Sequence, residues 1–421
     1  MAAERKAILK NTAFTIGGAL VLNGVLQLFI YPRLAYDVGA EANGTILSLM
    51  ALVNILGPSI GQALNNSRLV LRRDMDVSNG DYNTVILLFS AVGAVISLIY
   101  MWLVLLPGAG GAATSMAGGA IPVSILLILL IFMTDFRYYG DVEYRLSLKY
   151  GSYFLYYLIC SLGYAAGFLL YRFTGNWPVV FLTGEICAFC FILLKGTIYR
   201  DFLRRSLCFG NVVRSGGLLV LSYLVTNLTL NIDRLFLNAR LGGEAVSIYY
   251  VVSLIGKTLV LFVAPVNTII ISYLTKEGKR LGRKRFLVFA AAGAAVSLLF
   301  LAFCAIATPI FVRLFYPQLA DRIHGLVVIT SAAQVLAMYS AYLFIIVLTF
   351  TSVRWQLALQ IAHLILLIVL MFPMTAAGGM KGFALAVLIA GLLRVLAVLL
   401  LGVLKAGTGD GKQITIERKR I

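Results

Sequence analysis

The sequence predicts an all-α integral membrane protein with twelve transmembrane helices in two six-helix lobes, and three observations lead to this fold class. The 421-residue chain is 61% hydrophobic and 12% charged, and its mean hydropathy of +0.95 is far above that of soluble domains. Its apolar segments are long continuous runs rather than the alternating strands of about ten residues that build a membrane barrel. A short motif also recurs after about half the chain.

Twelve apolar runs approach or exceed the roughly 20 residues that a helix needs to cross a bilayer. The predicted spans are 11–35, 43–67, 83–106, 119–136, 150–171, 176–198, 215–239, 245–274, 286–312, 324–349, 355–375 and 379–404. The predicted domains are an N-terminal six-helix lobe at 1–198, a cytoplasmic basic linker at 199–214, a C-terminal six-helix lobe at 215–405 and a polar cytoplasmic tail at 406–421.

The distribution of Lys and Arg predicts the orientation. One side of the predicted membrane carries 26 of the 35 basic residues and the other side carries 7, while Lys257 and Arg394 lie inside spans. Basic loops stay on the cytoplasmic side, so both termini are predicted to be cytoplasmic. The net charge of +18 is explained by these loops and their contact with anionic lipid, and no nucleic-acid partner is expected.

The repeated motif supports the division into halves. The segment Val38–Ala42 (VGAEA) recurs as Leu241–Ala245 (LGGEA), at an offset of 203 residues. Each copy follows an apolar span and opens a helix that contains a proline, Pro58 in the first and Pro265 in the second. Six spans are an even number, so both halves begin on the same side and the repeats are parallel.

Polar residues line one face of several spans. At helical spacing the sequence places Thr12, Thr15, Asn23, Gln27 and Tyr31 on span 1, Asn54, Pro58, Gln62 and Asn65 on span 2, Tyr223, Asn227, Asn231, Arg234 and Asn238 on span 7, and Tyr249, Ser253 and Lys257 on span 8. A water-filled cleft between the halves would satisfy all four faces, as at the repeat interfaces of transporters. The alternative is that these faces pack helices together and that Lys257 snorkels to an interface.

A predicted substrate path follows from these faces. A charge at membrane depth costs roughly 2.5–3.5 kcal/mol on insertion scales, so it usually faces a cavity or a partner. We expect Lys257, Arg394 and Arg234 to supply positive potential. Side chains expected to hydrogen-bond phosphate or sugar hydroxyls are Asn23, Gln27, Asn54, Asn227 and Asn231.

Other ionisable residues in the spans allow more than one interpretation. Glu185 in span 6 and Asp233 in span 7 are candidates for coupling a proton or sodium ion, and Asp233 suits a structural ion pair equally well. His363 fits hydrogen-bonded packing better than ligation. Asp135 and Arg137, with Asp141 and nearby tyrosines, are interpreted as an anchoring belt at the cytoplasmic interface.

The pattern argues against an enzyme. Membrane glycan polymerases and ligases usually place catalytic residues in a large external loop, whereas every predicted outer loop here is short. The longest, around 108–118, carries no charge. No nucleotide-binding loop, metal-ligand cluster or nucleophile–base pair occurs in the sequence, so no cofactor and no metal are expected.

Two stretches then carry a resemblance to a known family. The segments NTAFTIGGALVLNGVLQLFIYPRLAYDVGAEANG and NIDRLFLNARLGGEAVSIYYVVSLIGKTLVLFVAPVNTII look like the span 1–2 and span 7–8 signatures of polysaccharide flippases of the multidrug/oligosaccharidyl-lipid/polysaccharide (MOP) exporter superfamily, of the O-antigen and teichoic-acid type. The resemblance covers nearly the whole chain. It implies a V-shaped, MATE-like transporter with alternating access.

The resemblance also implies a substrate and a location. It implies transfer of an undecaprenyl-pyrophosphate-linked glycan from the cytoplasmic to the outer leaflet for polysaccharide biosynthesis. The implied partners are membrane lipids and a glycan polymerase or glycosyltransferases, and the implied setting is a monomer in the bacterial cytoplasmic (inner) membrane. Lipid II flippases of the superfamily typically have two further C-terminal helices.

A cation-coupled small-molecule or multidrug exporter of the same superfamily is the alternative. Drug exporters often carry a carboxylate in span 1, and the stretch 11–36 here contains none.

Overall fold

The computed structural model describes residues 2–72, 75–106, 118–259, 282–349, 351 and 353–406, and within these ranges it contains helices and no strand. The predicted all-α fold class is therefore confirmed. The chain divides into two compact units, Met1–Ser247 and Ile248–Ile421. The second half of predicted span 8, including Pro265, lies outside the described residues.

The described residues of the first unit form ten α-helices and the start of an eleventh. They are α1 Ala2–Gly24, α2 Tyr31–Val38, α3 Ala40–Gly57, α4 Ala63–Leu71, α5 Asn79–Tyr100, α6 Ala120–Gly140, α7 Val142–Leu146, α8 Tyr150–Thr174, α9 Pro178–Lys195, α10 Phe209–Leu241 and residues 243–247 of α11, which is described over 243–259. The π-helical turns Val25–Ile30 and Pro58–Gln62 join α1 to α2 and α3 to α4, and a third, Met101–Leu105, follows α5.

The described residues of the second unit comprise residues 248–259 of α11 and three further helical ranges. These are α12 Arg283–Phe315, α13 Val327–Leu348 and α14 Val353–Lys405, with a 3-10 turn at Pro317–Arg322. The range of α14 contains both predicted spans 11 and 12, which are two helices joined across a kink at Gly379, where φ is 56° and ψ is −136°. Only glycine adopts this backbone conformation readily.

Local sequence signals explain several helix ends. Ser78 and Asp81 form a capping box at the start of α5, in which the Asp81 N–H donates to Ser78 Oγ at 3.1 Å and the Ser78 N–H donates to Asp81 Oδ2 at 2.9 Å. Gly175 ends α8 in the left-handed conformation with φ 69°. Pro58 lacks a backbone N–H donor, and the π turn Pro58–Gln62 begins there.

Small residues allow close helix packing within the first unit. A Cβ on Gly163 of α8 would lie 2.8 Å from the Cα of Gly184 of α9, so the two backbones are in contact. In the second unit, Phe286, Leu343 and Val398 lie in one buried cluster that joins α12, α13 and α14. These contacts fix the helices on which the polar residues lie.

Hydropathy agrees with a membrane location. Ten helical segments among the described residues are long and apolar enough to cross a bilayer, and the last of them, Arg354–Lys405, contains two predicted spans. Many leucine, isoleucine and valine side chains on these helices are exposed, as expected for surfaces that face lipid. The chain is a multi-pass membrane protein.

Candidate transport site

The polar face of α10 packs against α3, α4 and the π turn between them, all within the first unit. Asn227 Nδ2 donates to Ser59 Oγ at 3.0 Å, and Asn66 Nδ2 donates to the Tyr223 hydroxyl at 2.6 Å. Nearer the C-terminal end of α10, Asn238 Nδ2 donates to Ser48 Oγ at 2.8 Å. These contacts show that the side chains predicted from their spacing to share a polar face do lie on one face of α10. Part of this face packs against predicted span 2.

Of the other predicted path residues, Asn23, Asn54 and Asn231 keep polar side-chain atoms without a hydrogen bond in the described part of the chain. Asn231 Nδ2 donates to the Asn227 carbonyl at 2.9 Å, and Asn23 Nδ2 donates to the Ala19 carbonyl at 2.8 Å. Both side chains are partly exposed, and their amide oxygens accept no hydrogen bond from the described part of the chain. Asn54 is also partly exposed and makes no side-chain hydrogen bond within that part. Gln27 lies partly exposed in the first π turn.

The predicted basic residues fall in both units. Arg234, on α10 of the first unit, interacts electrostatically with the Tyr31 phenol. Lys257 lies on α11 in the second unit, one residue after Gly256, where α11 packs against the Gln334 side chain of α13. Arg394, on α14, lies within electrostatic range of His363 on the same helix. All three basic side chains are partly exposed.

A buried ion pair is a feature that the sequence analysis missed. Arg137 Nε of α6 donates to Glu185 Oε2 of α9 at 2.7 Å, and the Tyr164 hydroxyl donates to Glu185 Oε1 at 2.7 Å. Arg137 is 5% exposed and Glu185 is 2% exposed. The guanidinium also lies 4.2 Å from the Tyr138 ring centre. Glu185 thus has a fixed cation beside it.

Two further carboxylates of this region are buried. Ser90 Oγ donates to Asp135 Oδ2 at 2.5 Å, and the Tyr157 hydroxyl donates to Asp141 Oδ2 at 2.8 Å. Asn65 Nδ2 donates to the other Asp141 oxygen. The predicted anchoring belt of Asp135, Arg137 and Asp141 is therefore wrong: these side chains are at most 5% exposed and hold helices together. The repeated tyrosines of α8 were the available sequence signal.

The two copies of the repeated motif contact each other in the first unit. The backbone N–H groups of Gly243 and Glu244 donate to the two carboxylate oxygens of Glu41 at 2.9 and 2.8 Å. Ser247 Oγ donates to the Ala40 carbonyl at 2.6 Å. A Cβ on Gly44 would lie 1.6 Å from the Gly243 carbonyl oxygen. A carboxylate thus caps the N-terminus of α11, where the helix dipole and unpaired N–H groups favour an anion. We call this set of contacts the Glu41 clasp.

Charges well inside the spans differ in exposure according to their sign. The carboxylates Asp135, Glu185 and Asp233 are 0%, 2% and 7% exposed, whereas Arg234, Lys257 and Arg394 are each partly exposed. Arg137 is buried, but it is neutralised by Glu185. Among the described residues well inside the spans, the partly exposed charged side chains are thus basic, and the carboxylates are buried. Among the described residues, no group of three or more His, Cys, Asp or Glu could hold a metal ion.

Comparison with known proteins identifies the fold. No protein-family model and no curated protein matches the sequence, whereas solved structures match over nearly the whole chain. The chain is similar to the lipid II flippase MurJ in an inward closed conformation, at 13% identity and a TM-score of 0.63, covering 95% of this chain and 87% of that one. An outward-facing multidrug resistance MATE transporter of the MOP superfamily matches at 15% identity and a TM-score of 0.61, covering 95% of each chain.

A third structural relative comes from Pyrococcus furiosus. It is a MOP superfamily transporter described as having a binding pocket of reverse polarity that suggests a different function. It matches at 15% identity and a TM-score of 0.62, covering 95% of this chain and 94% of that one. The MATE-like fold of this chain is therefore established by its resemblance to transporters and a flippase.

Proposed function

We propose that this chain is a MOP-type flippase that moves a polyprenyl-pyrophosphate-linked oligosaccharide from the cytoplasmic to the outer leaflet by alternating access. The observation that carries the proposal is the difference in exposure between acidic and basic side chains inside the spans. Arg234, Lys257 and Arg394 are accessible, whereas the carboxylates Asp135, Glu185 and Asp233 are buried. A path for a cationic drug requires accessible carboxylates, while a path for a lipid pyrophosphate requires accessible cations.

The proposed roles follow from chemistry. A pyrophosphate diester carries about two negative charges, and removing it from water requires fixed positive charge. Arg234, Lys257 and Arg394 supply that charge in the proposal. Asn23 and Asn54, together with Asn231 and Gln27, offer amide groups to sugar hydroxyls. The side-chain nitrogen of Asn227 already donates a hydrogen bond to Ser59. We therefore propose that Asn227 contacts the substrate only through its amide oxygen, and more weakly than the other amides.

Structural relatives support a transporter rather than a catalyst. The matched solved structures include a lipid II flippase, which moves a lipid-linked substrate as its name states. The Pyrococcus furiosus relative shows that the polarity of a pocket can reverse within this superfamily. The proposed setting is the bacterial cytoplasmic membrane with both termini inside, as a monomer that receives its substrate from glycosyltransferases and delivers it to a glycan polymerase.

A cation-coupled exporter of small molecules is the second candidate. One observation favours it: Asp135 Oδ1 is buried and has no hydrogen-bond partner among the described residues, which leaves an oxygen for a proton or sodium ion. Glu185 and Asp233 are the other proposed acceptors. The structural similarity to a multidrug MATE transporter supports this candidate as much as the similarity to the lipid II flippase supports the glycan-lipid flippase.

A reconstituted assay separates the two candidates. The protein is placed in liposomes that contain either a fluorescent polyprenyl-pyrophosphate oligosaccharide or a cationic dye. A membrane-impermeant glycosidase then reports which leaflet holds the glycan. We expect flipping of the glycan lipid and no transport of the dye. Dye export driven by a proton or sodium gradient, without glycan flipping, would replace the proposal with the exporter.

A further inference from the structure

A polar cavity of about 370 Å³ lies at one end of the first unit, and none of its lining residues is among those assigned to transport above. It is formed where α4 ends, where α5 begins, along α7 and after α9. Charged and polar lining residues include Arg68, Arg72, Asp76, Asn79, Glu143 and Thr197. Its volume falls within the roughly 300–1,000 Å³ typical of small-ligand pockets. It forms at the ends of helical segments that are long and apolar enough to cross a bilayer, so we expect it at the level of the lipid headgroups.

Arg68 is a buried basic residue in the wall of this cavity. Its side chain is 8% exposed, and its Nη atoms donate to neutral partners, the Tyr139 hydroxyl at 2.5 Å and Asn79 Oδ1 at 2.6 Å. Its Nε is buried without a hydrogen-bond partner in the described part of the chain, and Arg68 forms no ion pair there. The guanidinium also lies 5.4 Å from the Tyr82 ring centre. A buried charge is normally paired, so Arg68 brings to the cavity wall a positive charge without an ion-pair partner among the described residues.

Two carboxylates also line this cavity, and they are not paired with its arginines. Glu143 accepts from Thr197 Oγ1 at 3.2 and 3.3 Å and is partly exposed, and Asp76 is exposed. Within the described residues neither carboxylate pairs with Arg68 or Arg72. Two positive and two negative groups therefore line one cavity without neutralising each other by direct contact. A ligand that carries both an anion and a cation is complementary to this arrangement.

We propose that this cavity binds a phosphoethanolamine group, with the phosphate at Arg68 and Arg72 and the primary ammonium at Glu143 and Asp76. Phosphate accepts several charge-assisted hydrogen bonds from guanidinium groups. A primary ammonium donates three to carboxylates and hydroxyls. The headgroup of phosphatidylethanolamine supplies this chemistry at the depth of the cavity, and basic pockets beside transmembrane helices commonly take lipid headgroups.

Native mass spectrometry of the purified full-length protein with added phosphatidylethanolamine, phosphatidylglycerol or phosphatidylcholine tests the proposal. We expect phosphatidylethanolamine to bind about tenfold more tightly than phosphatidylglycerol, since hydrogen bonds to charged groups are among the stronger ones. Glu143→Gln retains a partner for Thr197 but loses the charge, so it should remove this preference while phosphate binding persists. The exposed Arg200→Gln, on the neighbouring loop, is the matched control and should behave as the unaltered protein.

A variant of Arg68 and soluble competitors test the same headgroup assignment. Arg68→Gln should weaken binding of both phosphatidylethanolamine and phosphatidylglycerol. Arg68→Gln can fail to fold because Tyr139 and Asn79 lose their hydrogen-bond partner. In that case the lipid preference of Glu143→Gln still tests the proposal. If soluble phosphoethanolamine displaces the lipid and inorganic phosphate does not, the cavity recognises the phosphoethanolamine group, and its source is a soluble molecule rather than a lipid. Equal binding of the three lipids, or a preference that survives Glu143→Gln, would overturn the proposal.

Discussion

Glu185 shows how a single buried contact changes the role of a carboxylate. A coupling cation would have to bind where the Arg137 guanidinium already lies, 2.7 Å from Glu185 Oε2. Tyr164 occupies the other carboxylate oxygen. This arrangement favours a structural role for Glu185, in which a permanent cation replaces an exchangeable one.

The first prediction concerns this pair. Glu185→Gln leaves Arg137 charged and buried, which should lower stability by about 3–5 kcal/mol. Thermal unfolding in detergent measures the loss. The double variant Arg137→Met, Glu185→Leu removes both charges and should recover most of the stability.

Asp37→Asn is the matched control for that experiment. It breaks the exposed pair with Arg172, whose atoms are 3.8 Å apart, and should change little, since surface ion pairs contribute little. A stable Glu185→Gln protein that had lost only its response to an ion gradient would restore Glu185 as a coupling residue.

The second prediction concerns Lys257. Lys257→Ala should abolish glycan-lipid export while the protein still inserts, because the proposed path needs positive charge there. Lys257→Arg should keep part of the activity, since charge matters more than the geometry of the donor. The exposed Lys381→Ala on α14 is the control and should export normally. Full export by Lys257→Ala would instead indicate that Lys257 packs between helices or snorkels to the membrane interface.

Residue-level prediction from the sequence succeeded where periodicity was enough and failed where a partner had to be known. The spacing of Tyr223, Asn227 and Asn238 correctly identified one polar face of α10. It gave no information on what that face contacts. Arg137 and Glu185 lie 48 residues apart, and no local pattern could pair them, so a buried ion pair was mistaken for an interfacial belt.

At the level of elements, the Glu41 clasp joins segments that the sequence identified only as copies of one motif. The offset of 203 residues predicted that the starts of α3 and α11 are equivalent. It could not predict that the carboxylate of one copy binds the backbone of the other, because that contact depends on the close approach of Gly44 and Gly243. The clasp holds together the beginnings of two helices that carry proposed path residues.

The third prediction is that the clasp controls separation of these two helix ends. Glu41→Gln keeps one acceptor but loses the charge-assisted bonds to Gly243 and Glu244, so the contact should open more often. Thr45 is buried beside Gly243, and Thr45→Cys reports this opening in a chain without its native cysteines. A water-soluble maleimide should label it several-fold faster with Glu41→Gln. Asp37→Asn should not change the rate, and an equal rate with Glu41→Gln would contradict the prediction.

At the scale of the whole molecule, hydropathy was sufficient for the fold class, since only helices satisfy the backbone of long apolar runs in lipid. It was also sufficient for most spans. The separate spans 11 and 12 predicted from hydropathy agree with the kink at Gly379, although hydropathy could not predict the backbone conformation of that glycine. Nor could it predict the cavity at Arg68, which four separate segments create.

The fourth prediction tests the orientation that the 26-to-7 distribution of basic residues indicates. Thr174 and Arg204 are both exposed and lie on predicted opposite sides. In a cysteine-free chain, Thr174→Cys should react with an impermeant maleimide added to intact cells, and Arg204→Cys should react only after the membrane is opened. The reverse pattern would place both termini outside.

The last prediction concerns the energy source of the proposed flippase. Moving one elementary charge across 100 mV is worth about 2.3 kcal/mol, so two uncompensated negative charges leaving an inside-negative cell gain roughly 4–5 kcal/mol. The accessible basic residues of the spans neutralise the pyrophosphate in transit but return with the protein, so this gain is retained over a full cycle. Membrane potential alone should therefore drive outward flipping, with any coupling ion secondary.

Proteoliposomes with an imposed potassium-diffusion potential and no sodium or proton gradient measure this directly. A glycan linked through a monophosphate carries about one charge, so its flipping should respond to the potential about half as strongly in free-energy terms. If the potential leaves flipping unchanged while a proton or sodium gradient drives it, the cargo does not travel as a net anion. The carboxylates would then have to carry a coupling ion, and the unpartnered oxygen of Asp135 would be the first place to substitute, as Asp135→Asn.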